Sequence, residues 1–345
     1  MAKVAGIIVA ILIILIGLIS IKNGTIKNIN SVISNIQTQL SDFVIPSEPL
    51  NIKFMRAQNY PGSDIKTEET LSPGSNYLRY IVSFSVGDLK EYAMMTIPTA
   101  PKPQNGFPVI ILNHGYIIPE KYTPDGNYIA YVDALSKAGY IVFKPNFRGN
   151  GKSEGSPGSS YFSPNYAIDV LNAIASVKRF PDADPDRIGI WGHSMGANIA
   201  LRVSEISPDI KAIIIWGGVV GSYDDILYNW QNRVSYRPNA EDLYLRNLRS
   251  LDLLTKNGTP TQNPTFWNSI DPTENLNFVS APFQIHVGLA DNQVPPDFSK
   301  GLSNKLILQK KTTEYFEYSG ANHDINQSFD LAMKRTIEFF DRYLK

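Results

Sequence analysis

The residues with the clearest chemical meaning form the pentapeptide Gly192-His-Ser-Met-Gly196, in which a serine stands near two glycines. The apolar run Ile188 to Trp191 precedes it and an alanine- and leucine-rich run follows it, so the sequence predicts a strand, a sharp turn and a helix without a gap. This turn strains the backbone at the serine and leaves no room for a Cβ at either glycine. We therefore predict that Ser194 is a nucleophile and that the N–H of Met195 faces the carbonyl oxygen of a bound acyl group.

A serine nucleophile needs a general base, and the sequence offers four histidines. His193 lies inside the strained turn and is expected to point elsewhere, whereas His286 lies within a predicted strand and is expected to be a core histidine. His114 follows the first predicted parallel strand. His323 stands in a polar loop, after one predicted strand and before a predicted helix, where it has the freedom to reach the serine. We therefore predict His323 as the base.

The imidazole of the base needs a carboxylate that fixes its tautomer, and two aspartates qualify. Asp291 stands where a predicted strand gives way to a loop, although an Asp-Asn pair also commonly forms turns. Asp324 is the alternative because it adjoins the histidine. The chain order Ser, Asp, His favours Asp291. A second donor to the acyl oxygen is predicted at the N–H of Tyr116, because Gly115 lets the chain turn inward after a strand.

The elements that must position these residues follow from short apolar runs that alternate with helical stretches. That pattern predicts buried parallel strands in a sheet covered by helices on both faces, and the runs are 109–112, 140–143, 187–190, 211–215 and 283–287. Antiparallel strands are predicted before them, at 51–55, 78–85 and 91–97. Residues 222–280 interrupt the alternation with many tyrosines and tryptophans and are predicted to cap the site. Residues 49–345 are thus predicted to form one α/β catalytic domain.

The start of the chain carries a second signal, an unbroken apolar run over residues 4–21. At about 1.5 Å per residue, this run nearly crosses a hydrocarbon layer of about 30 Å. A cleaved signal peptide is the alternative, but no small-x-small cleavage site follows the run. We predict that residues 1–22 form a transmembrane signal anchor and that the catalytic domain lies outside the cytoplasm.

The segment 23–48 that follows is predicted to be an amphipathic juxtamembrane stalk. Its apolar residues recur three and four positions apart, and they are Ile26, Ile29, Ile33, Ile36, Leu40 and Phe43. Fewer than three heptads do not hold a coiled coil alone in water. Packing on the catalytic domain or on the membrane surface is therefore favoured over a homodimer formed through residues 26–43.

Composition excludes several classes of function. Lysine plus arginine and aspartate plus glutamate each number 32 in 345 residues, so nucleic acid is not an expected partner. The chain has no cysteine, and no metal-ligand cluster or dinucleotide loop is evident, so neither a metal nor an organic cofactor is expected. Residues 149–153 only superficially resemble a phosphate loop, because the first glycine of that motif is missing.

Several motifs together resemble the α/β-hydrolase superfamily, and within it the prolyl oligopeptidase catalytic domain and the dienelactone-hydrolase-like enzymes. The resemblance covers about residues 107–345, and it is carried by the segments 113–116, 145–155, 186–196, 288–295 and 322–323. It implies an α/β-hydrolase fold with Ser194 as nucleophile, Asp291 as orienting acid and His323 as base. It also implies that the N–H groups of Tyr116 and Met195 hold the oxyanion.

These inferences predict a membrane-anchored serine hydrolase that forms an acyl-enzyme. The resemblance favours a prolyl oligopeptidase-like serine peptidase that acts on short peptides. A carboxylesterase of the dienelactone-hydrolase kind, acting on small-molecule esters, is the alternative. An alternative of another class is a hydrolase-fold binding module without catalysis, which an intact set of Ser194, Asp291 and His323 argues against.

Overall fold

A nine-stranded sheet organises the part of the chain that the structure, a computed structural model, describes: residues 48–158, 160–230 and 240–345. The strands are β1 (Lys66–Leu71), β2 (Tyr77–Val86), β3 (Leu89–Pro98), β4 (Phe107–Asn113), β5 (Ile141–Pro145), β6 (Ala183–His193), β7 (Ile210–Trp216), β8 (Phe283–Gly288) and β9 (Thr313–Tyr318). Their spatial order is β1-β2-β3-β5-β4-β6-β7-β8-β9.

The sheet has an antiparallel edge and a parallel body. Strands β1, β2 and β3 pair antiparallel in sequence order, and β3 also pairs antiparallel with β5. From β5 to β9 all neighbouring strands are parallel. A tight turn suffices between β2 and β3, whereas the parallel strands need crossover connections, which helices provide. The mostly parallel central sheet that the sequence predicts is confirmed.

Helices cover both faces of this sheet. In the described residues they are α1 (Ile52–Arg56), α2 (Ile129–Lys137), α3 (Asn165–Val177), α4 (Met195–Ile206), α5 (Ala240–Asn257), α6 (Pro264–Ile270), α7 (Pro296–Leu308) and α8 (Phe329–Leu344). Side chains of α3, α4 and α7 join one apolar cluster, and those of α2 and α8 join another. Along β4, Val109 and Ile111 belong to the first cluster and Ile110 and Leu112 to the second, as strand alternation requires.

The first predicted strand is wrong, because residues 52–56 form helix α1. Asn51 caps this helix, and its side chain accepts a hydrogen bond from the N–H of Phe54 at 3.0 Å. Burial follows a helical spacing, since Ile52 and Met55 are buried while Phe54 is exposed. Strand β1, which the sequence analysis does not predict, consists of mostly exposed residues at the sheet edge.

The predicted cap, residues 222–280, lies between β7 and β8. The structure describes two parts of it, residues 222–230 and residues 240–280. Trp267, Ile270 and Leu276 in its second part are almost completely buried in the main apolar cluster. The carbonyl of Ile270 also accepts a hydrogen bond from the buried guanidinium of Arg202 on α4, at 2.9 Å. The second part therefore packs on the body of the domain.

The predicted membrane anchor and stalk lie outside the described residues, apart from Glu48 at the end of the stalk. Among the described residues, no helix combines the length and apolar composition that crossing a membrane requires. The described chain begins with a short 3₁₀ helix, Glu48–Leu50. The carbonyl of Leu50 accepts a hydrogen bond from Arg202 at 3.0 Å, which ties this start of the domain to α4.

Candidate active site

Ser194 occupies a strained turn between β6 and α4. Its backbone has φ 55° and ψ −120°, outside the regions that residues other than glycine ordinarily adopt. A Cβ added at Gly192 would lie 2.4 Å from the carbonyl oxygen of Gly196, and one at Gly196 would lie 2.1 Å from that of Asn113. Real Cβ atoms do not approach so closely, so both flanking positions require glycine. The turn between strand and helix therefore has the geometry that the pentapeptide predicts.

His323 and Asp291 form a buried pair. The Nδ1 atom of His323 lies 2.7 Å from Oδ2 of Asp291, whose side chain is completely buried. The other carboxylate oxygen, Oδ1, accepts hydrogen bonds from the backbone N–H groups of Gln293 and Val294 at 2.8 and 2.9 Å. These bonds fix the carboxylate, which in turn holds the Nδ1 proton of the imidazole and leaves Nε2 available for proton transfer.

Asp324, the alternative acid, lies in a different environment. Its side chain is 46% exposed, and its Oδ1 atom is 3.5 Å from Nε2 of His193. The geometry therefore assigns Asp291, and not Asp324, to the ring of His323.

Two loops flank Ser194. A Cβ at Gly217, just after β7, would lie 3.4 Å from Nδ1 of His323, and the N–H of Ser194 donates to the carbonyl of Trp216 at 3.0 Å. On the other side, a Cβ at Gly115 would lie 3.0 Å from the Cβ of Ser194. The serine thus lies between the loop that carries Gly115, here called the oxyanion loop (residues 114–116), and the base loop (residues 319–324).

The oxyanion loop is held by His114. The Nδ1 atom of His114 lies 2.7 Å from the carbonyl oxygen of Gly115, and because a carbonyl can only accept, this nitrogen carries the proton. Burial lowers the pKa of His114 to about 3, so the ring is neutral. The N–H of Tyr116 belongs to the same peptide as this carbonyl and points in the opposite direction. This orientation suits the oxyanion role predicted for Tyr116, beside Met195 at the start of α4.

His193 points away from the serine, as predicted, and towards Tyr128. Its Nδ1 atom lies 2.6 Å from the Tyr128 hydroxyl, and its Nε2 atom lies 3.3 Å from the carbonyl oxygen of His323. The Tyr128 hydroxyl also accepts the N–H of Gly115 at 2.8 Å. Sequence reasoning missed Tyr128, since a tyrosine before a helix is ordinary. Its backbone is not ordinary, with φ 62° and ψ 22° in the left-handed region.

The fourth histidine, His286, is a core histidine, as the sequence predicts. Its Nδ1 atom lies 2.8 Å from the hydroxyl of Tyr318, and its Nε2 atom lies 2.7 Å from Oε1 of Gln284. Burial lowers the pKa of His286 to about 3, so the ring stays neutral inside the sheet.

A buried lysine lies beside the oxyanion loop. Lys144, near the carboxyl end of β5, donates a hydrogen bond to the carbonyl of Asn127, the residue before Tyr128. Its ammonium also lies 5.6 Å from the centre of the Tyr122 ring, which stacks on His114. Burial lowers the pKa of Lys144 to about 7. Its hydrogen bond anchors the turn in which Tyr128 adopts its left-handed conformation.

The first part of the insertion contacts the loop that carries the acid. The indole N–H of Trp230 donates to the carbonyl of Gln293 at 2.8 Å, two residues after Asp291. The Trp230 ring packs edge-on against Tyr161, with 5.5 Å between ring centres, and against Phe298 at 6.3 Å. Through these contacts Trp230 joins an aromatic surface of the insertion to the loop that carries Asp291.

Sequence comparison finds similarity to serine peptidases. A family model described as serine aminopeptidase, S33, matches residues 107–258, from the start of β4 to the end of α5. The uncharacterized peptidase YtmA of Bacillus subtilis is 24% identical over 253 residues, which are 73% of this chain and 88% of that protein.

Solved structures share the fold. The acetyl xylan esterase of Paenibacillus sp. R4 matches with a TM-score of 0.63 at 17% identity, over 89% of this chain and 99% of the esterase chain. A puromycin-hydrolyzing peptidase of Mycobacterium tuberculosis matches with a TM-score of 0.61 at 19% identity, over 79% of this chain, which spans only 40% of that peptidase chain. The fold is therefore that of the α/β hydrolases. Together with the serine aminopeptidase match, it identifies the protein as a serine hydrolase.

Proposed function

We propose that this serine hydrolase cleaves short peptides, with Ser194 as nucleophile, His323 as base and Asp291 as orienting acid. The observation that carries the proposal is the buried contact of 2.7 Å between His323 and Asp291, on a loop that flanks the strained serine. A carboxylate in this position stabilises the imidazolium that forms when the ring accepts a proton.

The proposed mechanism has two acyl-transfer steps. His323 accepts the proton of Ser194 as its Oγ attacks the carbonyl carbon of the substrate, and the N–H groups of Tyr116 and Met195 stabilise the oxyanion. His323 then gives the proton to the leaving group, and the acyl group stays on the serine. Water, activated by the same imidazole, releases the acid and restores Ser194.

Two comparisons support a peptide substrate over an ester. The matching family model is described as a serine aminopeptidase, and the Bacillus subtilis relative, which this chain covers to 88%, bears the name of a peptidase. Aromatic rings beside the acid loop, from Tyr161, Trp230 and Phe298, suit the apolar or proline side chain of a short peptide.

A carboxylesterase is the second candidate. The acetyl xylan esterase has the same fold over 99% of its own chain, and an aromatic surface also suits an acyl chain or a ring. An alkoxide leaves more readily than an amine, so an ester demands less of His323 as an acid. Esters should therefore be cleaved under either proposal, and only amide cleavage distinguishes them.

Matched substrate pairs test the proposal. The full chain, in detergent, is assayed with p-nitrophenyl esters and p-nitroanilides that carry the same acyl groups, including prolyl and dipeptidyl ones. We expect release of p-nitroaniline from at least one dipeptidyl or prolyl substrate, with Ser194→Ala as the inactive control. Cleavage of esters alone would replace the peptidase with the carboxylesterase.

We further propose that residues 4–21 anchor the protein in the cell membrane, with the catalytic domain outside the cytoplasm. The apolar run supports the anchor. The full chain should stay with membranes in alkaline carbonate, and protease added to intact cells should digest the domain. Release of a protein shortened at about residue 22 would indicate a cleaved signal, and protection would reverse the orientation. Whether residues 26–43 form a homodimer is a prediction that sedimentation of the detergent-solubilised chain can test.

A further inference from the structure

One path of hydrogen bonds connects the two loops that flank Ser194. It begins at the N–H of Gly115, passes through the Tyr128 hydroxyl and the His193 imidazole, and ends at the carbonyl of His323. The donor–acceptor distances along it are 2.8, 2.6 and 3.3 Å. The proposed mechanism uses neither Tyr128 nor His193, although the path joins its oxyanion loop to its base.

The direction of each bond in this path is fixed by chemistry. The carbonyl of His323 can only accept, so Nε2 of His193 carries a proton. Burial, with His323 nearby, lowers the pKa of His193 well below its usual range, so Nδ1 is unprotonated and accepts from the Tyr128 hydroxyl. The hydroxyl oxygen is then free to accept the N–H of Gly115. All donors and acceptors along the path are therefore matched.

Both side chains are held in place from outside the path. Tyr128 has a left-handed backbone at the start of α2, and Lys144 binds the carbonyl of the preceding residue. The ring of His193 lies against that of His323, with 4.6 Å between ring centres. A strained backbone conformation persists where surrounding contacts determine it, and such positions cluster at functional sites.

We propose that Tyr128 and His193 are positioning residues that set the placement of the oxyanion loop relative to the base. The inference rests on the proposed function of the Ser194 site. The Tyr128 hydroxyl holds the N–H of Gly115, while His114 holds the carbonyl of the same residue. These bonds fix the two peptides on either side of Gly115, and the second of them presents the N–H of Tyr116. Without the Tyr128 hydroxyl, only the second peptide keeps its bond.

The expected signature is a loss in kcat with little change in KM. The oxyanion is absent from the bound substrate and develops in the transition state that leads to the tetrahedral intermediate, so a misplaced donor weakens transition-state binding and leaves substrate binding nearly unchanged. Removing a whole oxyanion donor costs about 100-fold to 1,000-fold in kcat, and misorientation should cost less, about tenfold to 100-fold.

The test is Tyr128→Phe in the full chain, with Tyr140→Phe as the matched control. The Tyr140 hydroxyl is also hydrogen-bonded, to Asp341 at 2.6 Å, but between β5 and α8. Both variants lose one hydroxyl and should lose similar thermal stability. Only Tyr128→Phe should lower kcat on a p-nitrophenyl ester by about tenfold or more. A kcat within twofold of that of Tyr140→Phe would overturn the proposal.

A double-mutant cycle with His193→Gln gives a second test. If both residues act through one path, Tyr128→Phe should add little to the loss in kcat caused by His193→Gln. Losses that multiply independently would contradict a shared path. Ser194→Ala separates this inference from the proposed function. An active Ser194→Ala variant would refute both, whereas an inactive one with a normal Tyr128→Phe would refute only the positioning role.

Discussion

Two buried histidines of the sheet, each hydrogen-bonded to a tyrosine, differ in what the hydrogen bonds of the pair reach. His193 and Tyr128 end on backbone groups of the two loops that flank Ser194. His286 and Tyr318 end on side chains of the body, among them Gln284 on β8 and Arg335 on α8. Burial lowers the pKa of both histidines, so neither ring is charged at neutral pH. A buried imidazole with a tyrosine partner therefore does not by itself indicate function. What distinguishes the pair of His193 and Tyr128 is its contact with the two loops that flank Ser194.

The largest contrast between site and body is expected at serine. Ser194→Ala should lower kcat by about a millionfold, since it removes the nucleophile. Ser204 lies on the same helix α4, is buried, and donates its hydroxyl to the carbonyl of Ala200 at 2.7 Å. Ser204→Ala should retain nearly full activity. Both variants are assayed by steady-state kinetics, and thermal unfolding checks that each is folded. Hydrolysis by folded Ser194→Ala protein would show that Ser194 is not the nucleophile.

The second contrast is between two aspartates near His323. Asp291→Asn should lower kcat by about 10,000-fold, because an amide favours the wrong tautomer of the imidazole. Asp324→Asn should change kcat only a few-fold, since its carboxylate is half exposed and faces His193. Steady-state kinetics of both variants on one ester substrate shows which of the two aspartates orients His323. The reverse ranking would assign the acid role to Asp324.

A smaller contrast is expected between two tryptophans of the insertion. Trp230→Phe removes the hydrogen bond to the carbonyl of Gln293, two residues after Asp291. Trp267→Phe removes a hydrogen bond of 2.9 Å to the carbonyl of Gly258, which is not in the loop of Asp291. A hydrogen bond is worth about 1 kcal/mol, so Trp230→Phe should lower kcat about fivefold if the acid loop loses that much order. Trp267→Phe should affect stability only. Equal kcat values for the two variants would show that the insertion does not support the acid.

The smallest effect on kcat is expected at Glu91, a buried residue away from the candidate site, where a substitution should change only the pH dependence of stability. Burial, with the Asp169 carboxylate nearby, raises the pKa of Glu91 well above its usual value. The folded protein then keeps a proton that the unfolded chain releases above about pH 5, so this group makes stability fall as pH rises from there. Glu91→Gln should gain stability over the wild type as pH rises, without a change in kcat. Urea unfolding at pH 6 and pH 9 tests this, and a constant difference would contradict it.

Sequence patterns predicted the elements whose signals are local. The pentapeptide around Ser194 predicts its own turn, because glycine is required where strand and helix approach. The parallel strands are largely apolar runs, and Asp291 and His323 lie in the loops that follow β8 and β9. The body of the fold and the candidate residues of the site were therefore accessible from the sequence.

The parts that the sequence did not predict depend on contacts between distant segments. Tyr128 meets His193 across 65 residues, and nothing beside it in the chain marks that contact. Helix α1 was predicted as a strand because the apolar residues Ile52 and Phe54 alternate as in a strand, although Ile52 and Met55 have a helical spacing. The side-chain cap by Asn51 favours the helix. In both cases tertiary packing or a cap supplies information that apolar periodicity lacks.

The central claim is that Ser194 is activated by His323, and active-site labelling tests it most directly. A fluorophosphonate reacts only with an activated serine, and digestion followed by mass spectrometry locates the modified residue. We predict a label on Ser194 of the wild-type chain, and almost none on folded His323→Ala protein under the same conditions. A label on another serine, or equal labelling of the two proteins, would contradict the account.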